Sequence, residues 1–123
     1  MQSDKEKFKT EFKKRMYRWL IDLIKFLDSV PKDTISQRII DQLFRSASSV
    51  LANYIEAQAS SSKKDFINFL HYALKSANES KVWLAVLRDT NRGDQKKIED
   101  FLKELLEISN ILGASILTAK GRR

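Results

Sequence analysis

Apolar residues recur along this chain at steps of three and four, the spacing that gathers side chains on one face of an α-helix. The first run is Phe8, Phe12, Met16, Trp19, Leu20, Leu23 and Leu27, and it predicts a helix over about 4–28. Ser3 and Glu6 stand at the spacing of a capping box, in which each side chain takes an orphan amide of the first turn. Val30-Pro31 closes the run, because proline disfavours helical backbone at the residue before it. Thr34 with Gln37 offers a second capping box, opening a helix over about 35–59. Its apolar positions form two adjacent stripes: Ile35, Ile39, Leu43, Ala47, Val50, Tyr54 and Ala57, then Ile40, Phe44, Leu51 and Ile55. After the short turn Ser60-Ser61-Ser62, Ser62 and Asp65 cap a third helix over about 63–90. Phe66, Phe69, Leu70, Ala73, Ala77, Leu84 and Leu87 make its core face, and Tyr72, Val82, Trp83 and Val86 widen it. Gly93 is suited to a left-handed C-cap. A fourth helix, capped by Asp94, is predicted over about 95–119. Ile98, Phe101, Leu102, Leu105, Ile108, Leu112 and Ile116 give it a clean stripe, interrupted by Gly113, which suggests a close crossing. Residues 120–123 form a basic tail. Short connections make successive helices antiparallel. The predicted fold is therefore all-α, one antiparallel up-down-up-down four-helix bundle of long helices.

Composition narrows the chemistry. Cysteine is absent and His71 is the only histidine, so thiolate metal sites and the usual zinc sets are excluded. Glu99, Asp100, Glu104 and Glu107 crowd the fourth helix, but the Glu-x-x-His pairs of a di-iron bundle are missing. The serines lack a partner histidine in a triad order, and no glycine-rich phosphate loop occurs. No catalytic residue, metal or cofactor is expected. The N-terminal segment is charged throughout and lacks the apolar stretch of a secretory signal. No run approaches the roughly 20 apolar residues that span a bilayer. These features point to a cytoplasmic chain without a membrane role.

A net charge of +7 favours polyanionic partners, nucleic acid above all. Lys7, Lys14, Arg18 and Lys25 align on the back of the first helix, and Lys120, Arg122 and Arg123 close the chain. These seven are the candidate phosphate contacts. The competing reading is an ordinary solvated back of an amphipathic helix. The second and third helices carry more apolar surface than one bundle needs, so Phe44, Leu51, Ile55, Val82, Trp83 and Val86 are expected at a contact between subunits. For Trp83 this packing role outweighs base stacking. Arg45, Asn53, Glu56 and Glu79 lie beside the apolar stripes and are expected to form a polar network fixing helix register. A site for RNA or a small ligand is the alternative for them.

The segments RSASSVLANYIEA (Arg45 to Ala57) and SKKDFINFLHYALKSANESKVWL (Ser62 to Leu84) resemble the 23S rRNA intervening-sequence proteins. The matching positions are Arg45, Ala52, Asn53, Glu56, Ala57, Ser62, Lys63, Asp65, Phe66, Glu79 and Trp83. The resemblance implies a four-helix bundle assembled as a homopentameric barrel. The same fold includes the accessory variability determinant of diversity-generating retroelements, a basic nucleic-acid-binding protein that partners a reverse transcriptase. Two functions follow as expectations. The first is a non-enzymatic, basic, homo-oligomeric bundle binding RNA or DNA through phosphates. The second is a protein-interaction subunit for a polymerase or reverse transcriptase.

Overall fold

The computed structural model describes residues 2–121. Four helices run in order: α1 Asp4–Ser29, α2 Thr34–Ala59, α3 Lys63–Asp89 and α4 Gln95–Ala119. Each packs against its neighbours in sequence, and α4 closes back on α1, while the diagonal pairs stay apart. This is the up-down-up-down bundle that the patterning predicts.

Local chemistry sets each helix start. Ser3 Oγ accepts from the Glu6 amide at 3.1 Å, and the Glu6 carboxylate accepts from the Ser3 amide at 3.2 Å. The cap of α2 is Asp33, not Thr34: its carboxylate accepts from the Ser36 amide at 3.0 Å and from the Ser36 hydroxyl at 2.8 Å. Those two bonds, with the nearby Arg92 guanidinium, hold the Asp33 carboxyl below its ordinary range. Ser62 and Asp94 cap α3 and α4 through the amides of Asp65 and Lys97.

The end of α3 differs from the expectation. Asn91, not Gly93, takes the left-handed position after the helix, at φ 57°. The Asn91 amide donates to Arg88 O at 3.1 Å and the Arg92 amide to Leu87 O at 2.9 Å, the paired bonds of a Schellman motif. Gly93 follows at φ 109°, and a β-carbon there would stand 2.8 Å from Phe26 Cζ. Gly93→Ala is therefore expected to cost about 1–3 kcal/mol, from a strained backbone and a displaced ring. Urea melts check this; an unchanged midpoint contradicts it. Arg92 also donates to Ser36 Oγ at 2.8 Å, tying the α3–α4 turn to the cap of α2.

Side-chain size sets helix spacing. The buried residues of α2 and α3 include the small Ser46, Ala47, Ala73, Ala77 and Ser80, and this pair approaches most closely. Ser46 and Ser80 share a buried hydrogen bond of 2.8 Å: one hydroxyl donates it and the other donates to a carbonyl of its own helix. By contrast, α1 buries Phe12, Met16, Trp19 and Phe26 and stands farther off. Trp19 and Phe26 pack on Phe101, with ring centroids at 6.3 and 5.4 Å, and Phe12 meets Tyr54 edge-on at 5.1 Å.

Several of the expected core positions lie nearer the surface. Phe8 and Ile35 sit in terminal turns and are about half exposed, and Phe66 and Phe69 are half-buried. The position of a β-carbon at Gly113 is open, with nothing within 4 Å, so no close crossing occurs there.

Candidate nucleic-acid interface

The back of α1 presents Lys7, Lys14, Arg18 and Lys25 to solvent. At 1.5 Å per residue they span about 27 Å. None of the four makes an ion pair among the described residues. Arg15 is on the same helix but its charge is committed. Its guanidinium donates to Glu104 at 2.5 and 2.9 Å and to Glu107 at 2.7 Å. These carboxylates, Glu104 foremost, push its pKa further up and latch α1 to α4.

Beside the basic back, an open groove of about 740 Å³ runs between α1 and α2. Leu51, Ile55 and Ile21 line it together with Lys13, Lys14, Arg18 and Lys25 and one carboxylate, Asp22. Tyr17 stands in the same groove and is 57% exposed. An exposed aromatic ring between cations suits stacking of an unpaired base beside bound phosphates. Lys13 and Tyr17 escape a stripe-by-stripe reading of the sequence. The available signal is an aromatic residue one turn from both Lys13 and Ile21, on the polar side of an otherwise regular amphipathic helix. Lys120 is exposed just beyond α4. Arg122 and Arg123 lie outside the described residues.

The predicted polar network forms only in part. Arg45 reaches Glu79 at 2.5 Å across α2 and α3, and Trp83 Nε1 donates to the same carboxylate oxygen at 3.0 Å. Asn53 is not a member: it donates to Ser49 O of its own helix at 2.9 Å. Glu56 is exposed, with no hydrogen bond to another described residue. Helix phase does not separate them, since Glu56 falls within about 20° of Arg45 around α2; Asn53 borders a shallow pocket with Lys75, Ser76 and Glu79 of α3.

The expected subunit contact divides in the same way. Leu51 is only 9% exposed, covered by the seam between α1 and α2. Trp83 and Val86 are half-buried against their own core. Phe44, Ile55 and Val82 remain exposed, at 48%, 44% and 56%. Ile55 opens on the groove beside α1, whereas Val82 lies on the outer side of α3. They do not make one continuous patch.

Among the described residues no group of three His, Asp or Glu is placed to hold a metal ion. No helix there is long and apolar enough to cross a membrane.

Fold and surface together define a class: a basic four-helix bundle with one cationic helix back and no assembled metal site among the described residues. The chain belongs to the 23S rRNA-intervening sequence protein family, whose model matches residues 9–114. It is similar to a crystal structure of a protein of unknown function from the S23 ribosomal protein family of Bacteroides thetaiotaomicron. That likeness has 31% identity and a TM-score of 0.74, covering 88% of this chain and 96% of the other. No curated protein matches the chain.

Proposed function

We propose that the chain is a non-catalytic module that binds single-stranded nucleic acid along the outer face of α1. Lys7, Lys14, Arg18 and Lys25 contact phosphates, with Lys120, Arg122 and Arg123 as the candidate contacts at the chain's end. The observation that carries this reading is the exposed, unpaired back of α1 with Tyr17 beside it. Membership of the 23S rRNA-intervening sequence protein family agrees with a polyanionic partner.

Base stacking on an aromatic ring contributes about 1–3 kcal/mol. Tyr17→Ala should therefore weaken binding to a labelled single strand by roughly ten-fold, and binding to a duplex by much less. Fluorescence anisotropy checks this. Equal losses on both substrates would remove the stacking role, and no binding by the parent protein would remove the function.

The exposed Phe44 and Val82, with Leu106 on α4, favour a second, compatible property: self-association. These residues lie on separate faces, so one copy would present one face to a different face of the next. Repeated contacts of that kind form a ring when the rotation between copies closes, and an open filament when it does not. Light scattering should give a multiple of the 14.3 kDa protomer mass, and a value near 14.3 kDa at micromolar concentration contradicts it. If the mass stays at the protomer value, the same residues would instead serve a different protein, such as a polymerase or reverse transcriptase.

A further inference from the structure

All four helices contribute to a cleft of about 600 Å³ at one end of the bundle. We propose that this cleft binds an amphipathic organic anion, with an aliphatic chain of about ten carbons held by apolar walls and a carboxylate facing Lys5 and Lys9.

The walls come from Phe8, Tyr54, Phe66, Leu70, Ile111 and Ala114. The space exists because Phe12 is the first α1 side chain to enter the core. One turn earlier, Phe8 stacks on Phe12 at 5.9 Å and leaves its other surface open. Leu70 and Tyr54 are buried directly beneath it, so the floor of the cleft rests on the packed core. Its volume falls within the roughly 300–1,000 Å³ of small-molecule sites.

Charge selects the ligand's head. Lys5 and Lys9 are one helical turn apart, both line the cleft, and among the described residues no carboxylate does. Neither lysine makes an ion pair among the described residues. Burial pushes the Tyr54 phenol up to about 12, so this ring adds no negative charge near neutral pH. Gln58 and Thr118 supply further polar groups at the wall. A cation would meet two ammonium groups, and a fully polar anion would leave the apolar walls unused.

The test is calorimetric titration of the full chain with decanoate and with decyltrimethylammonium, which share a chain and differ in head charge. Saturable decanoate binding with a Kd below about 100 µM is expected, and binding of the cation at least about ten-fold weaker. Ala114 is exposed at the wall, so Ala114→Trp should fill the cleft and cut decanoate affinity at least about ten-fold. The paired substitution Lys5→Glu and Lys9→Glu should have a similar effect through the head group. Circular dichroism melts of both variants should match the parent; a variant that fails to melt as the parent does is replaced by shift mapping on the unmodified protein. Decanoate should then perturb amides around Tyr54, Leu70 and Ala114. Undetectable decanoate binding at about 1 mM, equal affinity for the cation, or shifts centred on the groove between α1 and α2 would each overturn the proposal. Nucleic-acid binding is read separately and does not enter any of these outcomes.

Discussion

Exchanging Lys14, Arg18 and Lys25 for glutamate is expected to weaken binding to a single strand of about 20 nucleotides by about 100-fold or more at about 100 mM salt. Each of these cations releases a counterion when it replaces one at a phosphate, and each glutamate adds repulsion. The change takes the net charge from +7 to +1, so bulk electrostatics alone would lower affinity somewhat. The control is therefore Lys63→Glu, Lys64→Glu and Lys103→Glu, which alters charge equally at exposed positions on α3 and α4. That triple variant should lose less than about ten-fold. Equal losses in the two triple variants would mean that total charge, and not the back of α1, governs binding. Anisotropy titrations at fixed salt decide between the outcomes.

Trp19→Ala should be the most damaging single truncation in the chain, at about 3–5 kcal/mol. Its ring is 5% exposed, meets Phe101 edge-on, and donates its indole N–H to the Phe101 carbonyl at 3.2 Å. The position matters because α1 lies farther from its neighbours than α2 lies from α3. Its docking depends on a few large side chains and the Arg15 latch. A loss of that size is a large part of the roughly 5–15 kcal/mol that holds a domain of this kind together. Trp83→Ala is the comparison. That ring is half-buried and bonded to an accessible carboxylate, and its loss should cost about 1–2 kcal/mol. Urea denaturation followed by circular dichroism measures both. If Trp83→Ala proves the more harmful, α1 is not held in the way described.

The stripes on α1, α2 and α4 were legible in the sequence because helical periodicity and burial obey one geometry. Leu23, Leu43 and Leu105, each inside a regular run, are fully buried. What the pattern could not supply was the order of neighbours around the bundle. Phe44, Leu51 and Ile55 share one face of α2, yet Leu51 is covered by α1 while the other two are exposed. Periodicity places all three on a face; only the position of α1 decides which are sheltered. The same applies to the charges. Arg15 and Lys14 are adjacent in sequence, but Arg15 happens to face Glu104 and Glu107. One is spent on structure, and the other makes no ion pair among the described residues.

Turn chemistry was legible in type and not in register. Asp33 and Thr34 are both good N-caps, and the aspartate wins because Ser36 and Arg92 converge on it. Asn91 and Gly93 both tolerate left-handed backbone. Asn91 takes the cap, and Gly93 is needed two residues later, where Phe26 leaves no room for a side chain. The cleft at the end of the bundle left no periodic signature, because it arises where four helix ends fail to fill a common space.

A salt titration of the unmodified protein with a labelled single strand addresses the central claim most directly. Four phosphate contacts along α1 predict that the logarithm of the association constant falls against the logarithm of salt concentration with a slope of roughly −3. A slope near zero, or the absence of saturable binding at low salt, would contradict it.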